Sequence, residues 1–261
     1  MSGSRQLMKH DSLTFKLAPF GDTPDQRLFW GGHGCQQIFS ALLADITQGS
    51  PLQTVIAEPG LGKTVLCRKL LNSLKSHKTR YRPLYLPYPH QDFDANVTDE
   101  LFVAPTDSRR TVLLLDEAQA LPDAFLQQLT KWLTTGSQGN VKGVQGAQAV
   151  LFAQPELELR LRSQSLQPLA DLRTANYEIR PFDRRQIHDY LNARLRQAGG
   201  DPAMLLNDHL IDTVWRASGG NPRIANTIMR KALIAADAES ASVLTLHHIQ
   251  SATATTDATV S

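Results

Sequence analysis

Cysteine is almost absent from this chain of 261 residues: Cys35 and Cys67 stand far apart, with no second pair and no metal-type spacing. A disulfide framework and a zinc site therefore both lack support, and a reducing compartment is the expectation. No charge of one sign dominates, since 27 Lys and Arg meet 25 Asp and Glu for a net +2. Such a balance announces no nucleic-acid or membrane partner, although a local basic patch stays open. No apolar run approaches the roughly 18 residues of a membrane helix, and the opening Met-Ser-Gly-Ser-Arg carries no apolar segment of signal-peptide type. The expected location is cytoplasmic, with any place at the inner face of the membrane supplied through a partner. What is present, 41% hydrophobic and 20% charged side chains, suffices for one substantial core and a satellite domain.

Residues 1–35 show no sustained period and read as an N-terminal arm. Apolar residues at helical spacing then predict a helix over 36–46, and 52–57 reads as a short buried strand followed by a helix over 64–74. A second strand over 82–88 is confined to a few residues by Pro83 and Pro87. The segment 90–110 is polar and poorly periodic. Thr-Val-Leu-Leu-Leu at 111–115 is an unbroken apolar run, as in a parallel strand covered on both faces. A helix over 125–133, a Gly/Gln/Asn-rich loop over 137–146 and strands over 149–153 and 176–180 complete the pattern. Strands alternating with helices imply an α/β domain over 36–181, a parallel sheet with helices on both faces. After Pro181 the strands stop. Asp183 caps a helix to Leu195, and helical runs over 207–217, 222–236 and 246–253 give a small all-helical domain over 182–253. The Thr-rich segment 254–261 reads as a disordered tail.

Between the first strand and its helix lies Ala57-Glu58-Pro59-Gly60-Leu61-Gly62-Lys63-Thr64. A loop in that place can wrap phosphates with backbone N–H groups and aim a helix N-terminus at them. Glu58, Pro59, Gly60, Leu61, Gly62, Lys63, Thr64 and Val65 are the candidate nucleotide contacts. Gly60 and Gly62 admit close approach of the main chain, Lys63 reaches β and γ phosphates, and Thr64 offers a hydroxyl to Mg²⁺. Ala57 replaces the usual first glycine and is expected to be tolerated. Asp116 and Glu117 close the 111–115 strand at its carboxyl end, where open α/β sheets bind ligands. Asp116 is the candidate Mg²⁺ ligand with Thr64, and Glu117 the candidate for orienting and polarising the attacking water. Gln154 ends the next strand and points an amide to the same sheet edge, where it could sense γ-phosphate. Arg223 starts a helix of the small domain, from which its charge could reach phosphate. The cofactors implied are ATP and Mg²⁺.

Loop, Asp-Glu strand, polar strand end and Gly-Gly-Asn-Pro-Arg helix start, in that order, resemble the P-loop ATPases of the AAA+ class. More narrowly, the chain resembles the general secretion pathway protein A (ExeA/GspA) ATPases and their pilus-associated relatives. The pieces that carry this likeness are Ala18-Pro19-Phe20 with Pro24-Asp25, Asp116-Glu117-Ala118-Gln119, Gln154-Pro155-Glu156-Leu157, and Ser218 to Asn226. The resemblance implies an AAA+ sheet domain followed by a helical lid. It places Gln154 as sensor 1, Arg223 as sensor 2 and Arg173 as a finger reaching a neighbouring subunit, with Arg160 and Arg162 as rival fingers. It further implies a homo-oligomeric ring or filament, and an adenine pocket to which Pro24, Asp25 and Phe29 could contribute. Three features depart from the family: the short, polar segment 90–110, the glycine-rich loop 137–146, and the lack of any membrane span or peptidoglycan-binding domain after the helices. The implied function is ATP hydrolysis by an oligomeric switch serving assembly of a secretion or type IV pilus-like envelope machine, with a protein of that machine as partner. Two alternatives remain. One is a DNA-binding AAA+ regulator of transposition using Lys131, Lys142, Arg184, Arg185, Arg194 and Arg196, a reading that the net charge does not favour. The other is a nucleotide-loaded scaffold with negligible hydrolysis.

Overall fold

The computed structural model describes residues 15–21, 32–87, 102, 109–137 and 146–257. They fall into two compact units, one of His33–Arg180 and one of Pro181–Ser261 with Met1–Gly32.

The first unit runs α1 (His33–Gln48), β1 (Leu52–Ile56), α2 (Lys63–Ser76), β2 (Tyr81–Leu86), β3 (Arg110–Leu115), α3 (Asp123–Ser137), β4 (Gln148–Ala153), α4 (Glu156–Leu161), α5 (Gln167–Asp171) and β5 (Arg173–Glu178). The five strands form one sheet in the order β2-β3-β4-β1-β5, every pairing parallel. Successive side chains of a strand point to opposite faces, and the central strands bury both. Leu113 and Leu115 of β3 join Leu126, Leu129 and Leu133 of α3 on one face. Val112 and Leu114 join Leu42 of α1 and Leu70 of α2 on the other. This two-sided burial is the physical meaning of the unbroken apolar run.

The last carbonyls of helix α1 have no donors within the helix. The Gln148 amide supplies one to the Ile46 carbonyl at 3.1 Å, and Arg110 supplies another to Thr47 at 2.6 Å. The last strand differs from expectation. It begins at Arg173 and ends at Glu178, because as an edge strand it alternates half-buried and exposed residues and shows no apolar run. Phe102, within the segment read as polar, packs its ring 5.1 Å from that of Phe125 and 5.7 Å from that of Trp132.

The second unit is helical: α6 (Arg184–Gln197), α7 (Pro202–Leu205), α8 (Asp208–Ser218), α9 (Pro222–Ala238) and α10 (Leu246–Asp257). Each principal start is encoded locally. Asp183 and Gln186 form a reciprocal capping box, Asn207 accepts from the Leu210 N–H, and Asn221 accepts from the Arg223 N–H ahead of Pro222. Ile187, Leu191, Leu195, Val214, Met229 and Ile249 fill its core. Phe20 is buried in that same core, the Lys16 N–H donates to the Ala198 carbonyl at 2.8 Å, and Arg194 donates to the Pro19 carbonyl at 2.7 Å. The described part of the arm, 15–21, is thus a component of the helical unit. The expected tail needs correction over its first residues: α10 continues to Asp257. Ile249 and Ala252 anchor that helix in the core, and extending an anchored helix adds one hydrogen bond per residue. Residues 258–261 lie outside the described residues.

Candidate active site

Strand β1 delivers the loop. Its ladder extends one residue past Ile56, with the Ala57 N–H donating to the Ala153 carbonyl at 3.0 Å. Ala57 is buried and packs in the α1/α2 core cluster, and it is not among the positive-φ residues, so the position tolerates a Cβ. Leu61 is buried in the same cluster and pins the middle of the loop, while Glu58 and Pro59 are exposed. Gly62 stands at the cap of α2 with φ 101° and no side-chain acceptor. The left-handed conformation requires glycine there, and the lack of a capping side chain leaves the first-turn amides to an anion. Lys63 is 4% exposed. Its Nζ donates to the carbonyls of Ala57 at 2.7 Å and Glu58 at 3.1 Å, bridging the base of the loop. Thr64 and Val65 follow in the first turn, both half-buried.

Asp116 lies at the end of β3, 4% exposed, with its N–H bonded to the Leu86 carbonyl at 3.0 Å. Burial raises the Asp116 carboxyl above its usual range. The Thr64 hydroxyl, hydrogen-bonded to it, pulls it back, the adjacent Glu117 carboxylate pushes it up, and Lys63 lowers it. Loop hydroxyl, loop ammonium and both strand-end carboxylates therefore act on one another. Glu117 sits at φ 53°, ψ 42°, a left-handed conformation that a glutamate rarely adopts. Its N–H donates to Asp116 Oδ1 at 3.2 Å. Its Oε2 accepts from Gln154 Nε2 at 3.0 Å and from Gln119 Nε2 at 2.6 Å.

The sequence-derived candidates thus divide. Lys63, Thr64, Asp116, Glu117 and Gln154 lie together in the sheet unit. Gln119, whose amide binds Glu117, was not singled out from sequence, and its place in Asp-Glu-Ala-Gln two residues beyond the glutamate is the signal that could have found it. Arg173, at the start of β5, is half-buried and paired with Glu158 at 2.5 Å. Arg160 is committed within the unit: it donates to the carbonyls of Gln119 at 2.6 Å and Leu121 at 2.7 Å and pairs with Asp123. Arg162 is exposed after the last residue of α4. Arg223 is exposed in the first turn of α9, in the helical unit. Pro24, Asp25, Phe29, Lys142 and most of the 137–146 loop lie outside the described residues. Of the remaining basic candidates, Arg184 is paired with Asp208 and Asp212 and Arg194 is buried, whereas Lys131, Arg185 and Arg196 are exposed.

No family model matches the chain. General secretion pathway protein A of Aeromonas hydrophila is 30% identical over 240 residues, which is 84% of this chain and 43% of that protein. The chain thus spans less than half the length of that relative. Among solved structures, the ORC2 protein of Aeropyrum pernix in its ADPNP–ADP complexes matches with a TM-score of 0.65 at 16% identity, over 90% of this chain and 71% of that one. Cdc6p of Pyrobaculum aerophilum matches with a TM-score of 0.65 at 17% identity, over 90% and 69% of the two chains. The RuvB Holliday junction branch migration motor of Thermotoga maritima matches with a TM-score of 0.61 at 17% identity, over 90% and 72%. At such identities the likeness is one of fold. Among the described residues, no helix is long and apolar enough to cross a membrane.

Proposed function

Given that this chain has the AAA+ P-loop fold and is a relative of general secretion pathway protein A, we propose that it binds Mg-ATP and hydrolyses it to ADP and phosphate. It would act as an oligomeric switch in the assembly of a secretion or pilus-like envelope machine. The observation that carries the chemistry is Glu117, bonded to Asp116 at the end of β3 and held by Gln119 and Gln154, in the sheet unit that also carries the Gly62 turn and Lys63. The relative supports the machine, through likeness over 84% of the chain.

The residues fit magnesium. Thr64 Oγ1 and the Asp116 carboxylate are hard oxygen donors already in contact, and the buried carboxylate gains from a cation. Magnesium is typically held by one or two protein oxygens together with phosphate and water. Magnesium bound there would neutralise charge on the β and γ phosphates. The loop amides around Gly62 hold phosphate oxygens, and Lys63 has an ammonium with two carbonyl partners that it can exchange for phosphate. Glu117 orients water and takes its proton as the oxygen attacks the γ-phosphorus and the bond to ADP breaks. Gln154, held against Glu117, would report on the γ-phosphate. Arg223 is the sensor 2 candidate of the helical unit. A neighbouring copy would supply a cation: Arg162 is exposed for that role, whereas Arg173 must first leave Glu158.

Titration calorimetry with Mg-ATP, alongside phosphate release, tests the reading. The wild type should bind and turn over ATP, and Lys63→Ala should lose both. Binding without release by the wild type would instead leave a nucleotide-loaded scaffold. An ATP-locked Glu117→Gln bait, used in pull-down against envelope-machine components, tests the client.

A further inference from the structure

Gln119 lies two residues past the glutamate, in the short 3₁₀ turn Ala118–Ala120 that carries the chain from β3 to α3. Both ends of its amide are used. Nε2 donates to Glu117 Oε2 at 2.6 Å, and Oε1 accepts from the Gln154 backbone N–H at 3.0 Å. Gln154 closes the circuit by donating its own Nε2 to the same Glu117 oxygen at 3.0 Å. Glu117, Gln119 and Gln154 are thereby one hydrogen-bonded ring joining the ends of β3 and β4. The turn itself is braced from α4, where Arg160 donates to the Gln119 carbonyl at 2.6 Å and to the Leu121 carbonyl at 2.7 Å.

We infer that Gln119 is a positioning residue for ATP hydrolysis, fixing the Glu117 carboxylate and tying its orientation to the end of β4 through Gln154. This rests on the ATPase reading given above. The chemistry favours a glutamine over other side chains. A carboxylate accepts only, so a group holding it must donate, whereas the Gln154 N–H needs an acceptor, and a carboxamide offers both at once. Leucine would leave the N–H and one carboxylate interaction unmet. Glutamate would place a second carboxylate against the first. Glu117 also occupies a left-handed backbone conformation, so its orientation depends on outside contacts that a residue in an ordinary conformation would not need. Gln154 has a second option, because its Nε2 can turn to a γ-phosphate oxygen. With Gln119 still bonded to both partners, Glu117 stays in place when it does.

Steady-state phosphate release and Mg-ATP affinity, measured on the full chain for wild type, Gln119→Leu, Gln119→Glu, Gln154→Leu and the Gln119→Leu/Gln154→Leu double variant, test this. A displacement of the acting group of about 1 Å costs on the order of a hundredfold in rate. The expectation for Gln119→Leu is a loss in kcat of that order, with ATP dissociation constant and thermal midpoint held within twofold and a few degrees. Gln119→Glu should lose at least as much. The double variant should lose less than the product of the single losses, because both amides serve one carboxylate. Unchanged kcat in both Gln119 variants, equal loss of kcat and affinity, or multiplying losses in the double variant would overturn the role of Gln119. If Gln119→Leu fails to fold, Gln119→Glu, which keeps the side-chain length but exchanges the donor for a charge, decides alone. Absence of turnover by the wild type would instead sink the ATPase reading, and this inference with it.

Discussion

Replacing Gly220 by alanine should damage the helical unit far more than replacing its neighbour Gly219. Both glycines take positive φ, 57° at Gly219 and 76° at Gly220, so each alanine carries left-handed strain of about 1 kcal/mol. Their surroundings differ. A Cβ on Gly219 would meet nothing within 4 Å, whereas one on Gly220 would stand 2.1 Å from the Phe182 carbonyl oxygen and 2.9 Å from its nitrogen. Those are backbone atoms and cannot swing aside. The Phe182 N–H donates to the Gly220 carbonyl at 2.8 Å, and Trp215 Nε1 donates to the Phe182 carbonyl at 3.2 Å, so retreat of the backbone at Phe182 breaks bonds. Overpacking adds about 1–3 kcal/mol and a lost hydrogen bond about 1 kcal/mol, giving roughly 3–5 kcal/mol for Gly220→Ala. At about 4 °C per kcal/mol, Gly219→Ala should lower the midpoint of the helical unit by ~4 °C and Gly220→Ala by at least ~12 °C. Thermal unfolding by circular dichroism, with hydrogen exchange by mass spectrometry placing the loss in α8 and α9, measures both. Equal losses in the two variants would refute the reasoning.

Asp116→Asn should raise the thermal midpoint of the ligand-free protein at pH 7. Burial lifts that carboxyl above its ordinary value, so the stability it contributes is present below the ordinary carboxylate range and is lost as pH rises through the raised value. At neutral pH the charge therefore costs stability, and the advantage of asparagine should shrink as pH falls. A lower midpoint for the variant at pH 7 would contradict the direction. Arg160→Ala should cost about 1–2 kcal/mol by releasing the carbonyls of Gln119 and Leu121, and should lower turnover about tenfold while sparing ATP affinity, as thermal melts and phosphate release will show. Asp183→Ala breaks the capping box of α6 and should cost about 1 kcal/mol, read as a shift in denaturant midpoint at unchanged slope.

The parts of the fold that could be read from sequence are those where burial is two-sided or a cap is local. Val112 to Leu115 announce β3 because both faces are covered, and Asp183, Asn207 and Asn221 mark helix starts because each bonds an amide within three residues. Strand β5 was harder. It is an edge, where only alternate residues such as Ala175 and Tyr177 turn inward, and its true start at Arg173 lies before any apolar signal. The helices α4, α5 and α7 are each six residues or fewer, too short to show a period. At the site, the places of the loop and of the acidic pair were legible because each follows a buried apolar strand that the sequence marks. The fates of the arginines were not, since the ion pair of Arg173 with Glu158 and the bonds from Arg160 to the turn after β3 depend on tertiary placement. Gln119 escaped for the same reason: its partner Gln154 is 35 residues away in sequence.

The central assignment is that Glu117 drives ATP hydrolysis from the end of β3. Phosphate release at saturating Mg-ATP by Glu117→Gln, with nucleotide binding by that same protein checked by calorimetry, addresses it most directly. Loss of a positioned proton acceptor costs on the order of 10² to 10⁴ in rate. A fall of that size with ATP still bound is the expected result, and turnover equal to the wild type would contradict the role of Glu117.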